Sequence, residues 1–136
     1  ATPSAGTDEQ AALNTIALYN QASIEAGSSG RPDAMAPFVA SDSRVWAAIQ
    51  KEYARRAKLP EIHEPTLTRW GVLRVEVQGD MAIVETQEQW DDITSVDSQV
   101  LTSRRGILTR NAYTLHRDGS SIRWLIADIA TTTIIK

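Results

Sequence analysis

Apolar residues recur with helical spacing in the first part of the chain and with the two-residue alternation of β-strands in the rest. Thr7 and Gln10 have the spacing of a capping box, and the apolar positions that follow them predict a first helix over residues 8–26. Residues 27–30 combine two glycines with two serines and predict the end of that helix.

Two further helices are predicted before the apolar residues change from helical spacing to strand-like alternation. Pro32 suits a first helical position and predicts a short second helix, which Pro37 keeps short or irregular. Residues 41–43 offer N-cap candidates for a third helix that ends near Lys58. This third helix has the clearest helical signal of the chain, because a single apolar stripe runs along it, formed by Val45, Trp46, Ile49, Tyr53 and Ala57.

From Thr66 onward apolar residues recur at every second position, and the frequent β-branched and aromatic residues predict four strands. The first strand runs to Gln78 and changes parity near Gly71, where we expect a bulge or a bend. Residues 79–80 close the first hairpin, and the second strand extends to Trp90.

The remaining strands are joined by two different connections. Residues 91–99 predict a polar connection to a third strand, which ends near Leu115. An Asp-Gly pair at residues 118–119 then predicts a tight turn. The last strand covers residues 121–135, and its uninterrupted apolar run, residues 124–126, indicates burial on both faces, as in a central strand.

Together the elements predict an α+β fold in which three N-terminal helices pack against a strongly curved, antiparallel four-stranded sheet. A chain of 136 residues with 42% apolar and 23% charged residues has the size and composition of one globular domain. We assign residues 8–136 to this domain and residues 1–7 to a flexible linker. The linker-like start predicts a domain of a longer protein or a chain from which a leader has been removed. The compartment is left open, with an extracytoplasmic domain of a membrane-anchored protein favoured.

Charge and residue usage exclude several functions. The net charge of −3 argues against a dedicated nucleic-acid binder, which needs clustered Lys and Arg. The absence of cysteine excludes thiolate metal sites and cysteine nucleophiles. No apolar run in the sequence has the length of a spanning helix. His63 with Glu61 and Glu64 follows no metal-binding motif, so we expect a solvated loop there, with no metal and no cofactor.

The order helix, short helix, helix and four long strands resembles that of the nuclear-transport-factor-2-like superfamily, whose domains form a cystatin-like cone. Within it, the layout is most similar to the intermembrane-space-type domain of plastid and cyanobacterial division proteins. This resemblance rests on Trp46 and Tyr53, on the strand at residues 110–115 and on the apolar run at residues 124–126. It covers residues 8–135 and implies a cone whose mouth can hold a small ligand.

Strand parity and the resemblance together indicate which side chains point into this cone. Glu88 shares a face with Trp90, Asn111 shares one with Tyr113, and Asp128 shares one with the apolar run of the last strand. The expected lining of the ligand pocket is therefore Trp70, Glu88, Trp90, Asn111, Tyr113 and Asp128.

Glu88 and Asp128 are also the candidates for catalysis. Desolvation among aromatic side chains tunes a carboxylate toward neutral pH, and the superfamily includes isomerases, dehydratases and cyclases that use acids and bases inside the cone. The alternative is a structural carboxylate that turns to solvent or pairs with an arginine such as Arg110. Tyr19 and Tyr53 are expected in the core, with an oxyanion-binding role as their alternative.

We therefore expect a non-catalytic binding or assembly domain that takes a protein partner or a small apolar ligand. The alternative is a small-molecule isomerase, dehydratase or cyclase with a carboxylate in the cone. Homodimerisation through the exposed face of the sheet is a third hypothesis. We expect neither a nucleic-acid partner nor a membrane span within this chain.

Overall fold

Three helices precede four strands along the chain, as the spacing of apolar residues predicted. The computed structural model describes residues 5–58, 61–117 and 123–135. The described elements are α1 (Ala5–Ser29), a 3₁₀ helix (Pro32–Phe38), α2 (Arg44–Lys58), β1 (Glu61–Gln78), β2 (Met81–Val96), β3 (Gln99–Arg117) and β4 (Trp124–Ile135). The strands form one antiparallel sheet in the order β1-β2-β3-β4, which confirms the α+β prediction.

Helix α1 continues past the glycine and serine run that was expected to end it. It begins at Ala5, inside the predicted linker, and extends to Ser29, after which Gly30 adopts a positive φ of 72°. Gly27 lies within the helix and is buried, and a Cβ on it would lie 2.6 Å from the carbonyl oxygen of His63. This glycine therefore permits α1 to approach β1 closely, rather than terminating the helix.

Helix α2 agrees with the predicted third helix. Ser43 caps it, because its Oγ accepts a hydrogen bond from the backbone N–H of Trp46 at 3.1 Å. The apolar stripe packs against a small cluster formed by Ala22, Ala26 and Met35. None of the residues described in α2 is fully buried, so the stripe is covered only in part.

The strands are longer than the alternation predicted. Strand β1 begins at Glu61, so the segment expected to be a solvated loop pairs with the end of β2. Residues 91–99, expected to be a polar connection, instead continue the β2–β3 ladder to a turn at Asp97 and Ser98, which have positive φ values of 51° and 66°. Pairing on both sides of β2 keeps these polar residues extended. The turn expected at residues 118–119 lies outside the described residues.

Strand β4 is an edge strand, not the central strand that its apolar run indicated. Trp124 and Ile126 are nevertheless buried. They belong to the main core, and the chain itself covers the free edge beside them: Val39 forms a parallel bridge with Ile126, and the N–H of Ala40 donates to the carbonyl oxygen of Ile126 at 2.9 Å. An extended segment thus takes the place of a neighbouring strand.

The inward face of the sheet packs against α1 to form the main core, which contains Ala12, Ile16, Ala82, Val84, Tyr113, Leu115, Trp124 and Ile126. Bulges interrupt the ladders at Thr68 and Leu73 in β1, on either side of the bend expected at Gly71, and at Ala127 in β4. Each bulge inserts one residue without a partner, so the parity of inward-facing positions changes there.

Candidate functional site

A buried carboxylate lies on the inward face of β2, where every second residue in the range 82–88 is buried. Glu88 is 2% exposed. Its Oε2 accepts hydrogen bonds from Tyr113 Oη at 2.5 Å and from Thr86 Oγ1 at 2.6 Å, and its Oε1 accepts one from Trp90 Nε1 at 3.0 Å. Hydrogen bonds to an ionised acceptor of this kind offset its loss of hydration. We call these four residues the carboxylate cluster.

A second polar chain runs beside the carboxylate cluster on β3 and β4. Asn111 is buried, donates from Nδ2 to Thr109 Oγ1 at 3.0 Å, and accepts at Oδ1 from Thr131 Oγ1 at 2.8 Å. Thr109 in turn donates to the carbonyl oxygen of Glu88 at 3.5 Å. The side chains of Asn111, Thr109 and Thr131 therefore satisfy one another.

Two tyrosine rings lie against each other between α1 and the cluster. Tyr19 and Tyr113 meet edge to face, with ring centroids 6.5 Å apart and an interplanar angle of 74°. Burial raises the pKa of Tyr19 from 10.0 to about 12, and the charges of Tyr53 and Glu88 add to the rise. Burial, followed by the charge of Glu88, raises the pKa of Tyr113 as well. Both hydroxyls are therefore protonated at neutral pH, and Tyr113 acts as a donor to the carboxylate.

The structure brings together five of the six side chains that were expected to line the pocket. Trp70 is the register partner of Glu88 and is 37% exposed, while Trp90, Asn111 and Tyr113 complete the group. Asp128 is separated from them.

Asp128 is exposed, and it points away from the cone because of a bulge. Ala127 has no partner in the ladder, so Asp128 pairs with Thr114 on the outer face. Counting alternate positions from the start of β4 therefore assigns Asp128 to the wrong side. The expected acid pair of Glu88 and Asp128 does not form, and Arg110, considered as a partner for Glu88, is likewise exposed.

Sequence reasoning missed two polar residues of the interior, Asn20 and Thr86, and the exposed Thr131 that donates a hydrogen bond to Asn111. Asn20 is 4% exposed, and its Nδ2 has no partner with hydrogen-bond geometry among the described residues, although it faces the Tyr113 hydroxyl closely enough to lower that group's pKa. Its place among apolar residues at helical spacing was the available signal. Thr86 has the parity of Glu88, which indicates burial but not the hydrogen bond.

An open groove runs between α2 and β4, and we call it the α2–β4 groove. Its volume is about 370 Å³, and it is lined by Tyr19, Met35, Val45, Ala48, Ile49, Glu52, Tyr53, Arg56, Ile129 and Thr131. The charged residues are already paired, since Arg56 Nε lies 2.9 Å from Glu52 Oε2 and its guanidinium lies 4.6 Å from the centroid of the Tyr53 ring. The incompletely buried stripe of α2 thus forms one wall of this groove.

A second opening, the α1–β1 cleft, lies on the other side of α1. Its volume is about 360 Å³, and it is lined by Ala17, Asn20, Gln21, Ile24, Leu67, Thr68, Arg69 and Trp70. Helix α1 separates the two openings, because Tyr19 lines the α2–β4 groove while the next residue, Asn20, lines the cleft.

His63 contacts polar side chains of β1 and β2. Nε2 of His63 lies 3.0 Å from Glu61 Oε1, and Nδ1 lies 3.3 Å from Thr94 Oγ1. Glu61 also accepts a hydrogen bond from Arg55 Nη1 at 2.8 Å, which ties the end of α2 to the sheet. Within the described parts of the chain, no group of three or more His, Asp or Glu side chains has the arrangement of a metal site.

Solved structures with the same arrangement of helices and sheet identify the fold. The intermembrane space region of the chloroplast protein ARC6 is similar with a TM-score of 0.77 and 18% identity, over 93% of this chain and 97% of that one. A protein of the NTF2-like family from Streptomyces avermitilis, which carries a provisional dehydratase assignment, has a TM-score of 0.59 and 16% identity, over 94% and 99% of the two chains. The chain has the NTF2-like fold. An NTF2-like protein of unknown function from Shewanella baltica gives a TM-score of 0.55 and 13% identity, over 98% of each chain.

The NTF2-like fold is assigned here from structure, since no family model and no curated protein matches the sequence. The resemblance inferred from the order of the elements is confirmed at the level of the fold. Such a fold hosts many unrelated functions, so function has to be argued from the side chains. In the described part of this NTF2-like domain, no helix has the length and hydropathy to cross a bilayer.

Proposed function

We propose that this NTF2-like domain is a non-catalytic binding domain that holds a segment of a protein partner in the α2–β4 groove. The observation that carries the proposal is the incomplete burial of the α2 stripe. Val45, Ile49 and Tyr53 line an open groove together with Ile129 of β4, although a helix of such clear amphipathic pattern usually buries its apolar face. Covering these side chains gives a partner a hydrophobic contribution to binding.

The state of the carboxylate cluster supports a non-catalytic role. Glu88 accepts hydrogen bonds from three side chains and is 2% exposed, so a substrate has little access to its oxygens. Asp128 does not supply a second acid. A general acid or base needs hydrogen-bond reach to its substrate, whereas Glu88 is bound by Thr86 and Trp90 of its own strand and by Tyr113 of β3.

Site-specific photo-crosslinking tests this proposal. A photoreactive amino acid in place of Ala48 is exposed and lines the groove. The same group in place of Leu18 is exposed on α1, and Leu18 itself lines neither opening. We expect a partner protein from source-cell extract to be captured from position 48 and not from position 18. Adding Ile49→Glu should abolish the capture. Equal capture from both positions, or none from position 48, contradicts the proposal.

The enzymatic alternative has one observation in its favour, because Glu88 and Tyr113 place a carboxylate and a phenol in contact within the cone. A direct test is the exchange of α-protons of a panel of cyclic ketones into deuterated water, followed by proton NMR. Exchange above the buffer rate that is lost in Glu88→Gln supports an isomerase, dehydratase or cyclase. Exchange at the buffer rate removes this alternative.

A further inference from the structure

The two edges of the sheet differ in their protection against pairing with another chain. Strand β1 contains Pro65 and bulges at Thr68 and Leu73, and it carries charged side chains along its length, namely Glu61, Glu64, Arg69, Arg74 and Glu76. Proline, charge and bulges are the devices that keep an edge strand from accepting a further strand. The β1 edge is therefore protected.

Strand β4 has none of these devices over residues 129–133. The segment reads Ile-Ala-Thr-Thr-Thr, without charge or proline and with mostly β-branched residues, which favour strands. Residues 130–133 are exposed, and the bulges at Ala127 and Ile134 flank the segment without interrupting it. This uncharged stretch is the open edge of the sheet.

The chain already pairs with the same edge at one point. The only backbone hydrogen bond that reaches β4 from outside the sheet, among the residues described, runs from Ala40 N–H to Ile126 O. Val39 and Ile126 form the associated parallel bridge. The free edge of β4 thus accepts an extended segment at its start and offers further backbone groups along residues 130–133.

The charge of the neighbouring wall indicates what kind of segment fits. Helix α2 carries five cationic residues and one acidic residue, and the acidic one, Glu52, is already bound by Arg55 and Arg56. Lys51 and Lys58 have no ion pair within the described residues. They lie outside the groove lining but next to Ala48 and Glu52, which belong to it, so α2 presents a net positive charge at the rim of the groove. An acidic segment is favoured there by charge complementarity.

We propose that the open edge of β4 pairs with an extended acidic peptide whose alternate apolar side chains enter the α2–β4 groove. This inference rests on the proposed function and specifies how the partner is held: the backbone adds a strand to the sheet, and every second side chain faces Ile129 and Thr131. Affinity then comes from main-chain hydrogen bonds, and selectivity comes from groove contacts and charge.

Defined peptides test the pairing without knowledge of the partner. The probe is a fluorescent peptide with about six central residues that alternate valine with threonine and with glutamates at both ends, and the matched control replaces glutamate with lysine. We expect the glutamate peptide to bind at least about tenfold more tightly than the lysine peptide. On binding, the amide hydrogens of residues 130–133 that face the free edge should exchange more slowly. Equal affinities, or unchanged exchange at these amides, overturn the inference.

N-methylation of the probe tests the direction of its hydrogen bonds. In an extended strand, the amides of alternate residues point to opposite edges. Methylating all valine amides or all threonine amides of the central stretch therefore blocks one edge or the other. We expect one isomer to lose about tenfold in affinity and the other to retain it. Equal behaviour of the two isomers contradicts strand addition.

The outcomes separate this inference from the proposed function. A partner that crosslinks at Ala48 but leaves exchange at residues 130–133 unchanged supports groove binding and sinks strand addition. Peptide pairing at β4 without any crosslink at Ala48 supports strand addition and contradicts the proposed binding of a protein partner in the groove. Protection of residues 130–133 that rises with protein concentration in the absence of peptide identifies a second copy as the occupant and overturns the peptide proposal.

Discussion

Removing the Tyr113 hydroxyl tests whether the carboxylate cluster stabilises the fold. Tyr113→Phe deletes the 2.5 Å hydrogen bond to Glu88 Oε2 and leaves the ring in place. A hydrogen bond to a charged acceptor contributes about 2 kcal/mol, and Thr86 still donates to the same oxygen, so the acceptor is not orphaned. For 136 residues, a loss of this size lowers Tm by about 7 °C.

Urea unfolding monitored by circular dichroism measures this loss. Tyr19→Phe is the matched control, because it removes the same group from the adjoining ring, and no hydrogen bond of the Tyr19 hydroxyl is present among the described residues. We expect the control to cost less than about 0.5 kcal/mol. Equal losses in the two variants would show that the hydroxyl of Tyr113 contributes nothing through Glu88.

A double-mutant cycle with Glu88→Gln isolates the contact itself. The glutamine has a single acceptor oxygen, so at least one of the three donors faces an amide N–H₂ group, at a cost of about 3 kcal/mol. Because both changes break the same contact, the double variant should lose about 1 kcal/mol less than the sum of the single variants. Simple additivity refutes the reasoning.

Three further predictions concern packing and protonation. Gly27→Ala should lower the free energy of unfolding by about 2 kcal/mol despite alanine's higher helix propensity, because the new Cβ meets β1 at 2.6 Å. The control Gly71→Ala places its Cβ in open space, so it should change the free energy of unfolding little in the same urea assay. The Arg55 hydrogen bond lowers the pKa of Glu52 from 4.5 to about 2, so this group stabilises the folded state above pH 4.5 and the contribution disappears as the pH falls toward 2. Since the side chain of Glu52 is 40% exposed, the free energy of unfolding lost in this pH range is below about 1 kcal/mol. Unfolding curves of Glu52→Gln at pH 4.5 and at pH 2 should not show this loss. Burial raises the pKa of all three tyrosines, so at pH 10 the folded protein should show little tyrosinate absorbance and should gain it on unfolding, with stability falling as the pH rises further.

The order of elements and most of the cone lining could be predicted because they depend on periodicity. The α2 stripe and the inward positions of β2 follow spacings of 3.6 and 2, and these placed Glu88, Trp90 and Tyr113 correctly inside. Burial of alternate residues is a local property of a regular strand, so counting is sufficient wherever the ladder is uninterrupted.

The errors arose where distant parts of the chain determine local structure. Gly27 was interpreted as a helix terminator because its contact with His63 O is invisible in sequence. The polar residues 91–96 form a strand because β1 and β3 pair with them from both sides. Asp128 was misplaced because a bulge carries no reliable sequence signal, and the edge position of β4 was hidden by the cover from Val39 and Ala40.

The unpaired residue in β4 changes what a one-codon deletion would do to this protein. Losing a residue from a regular strand reverses the orientation of all the side chains beyond it. Losing Ala127 removes the extra residue opposite Thr114 and restores a continuous ladder, with Ile129 and Thr131 still facing inward. This position is therefore one where the strand can shorten by one residue without exchanging the lining of the α2–β4 groove.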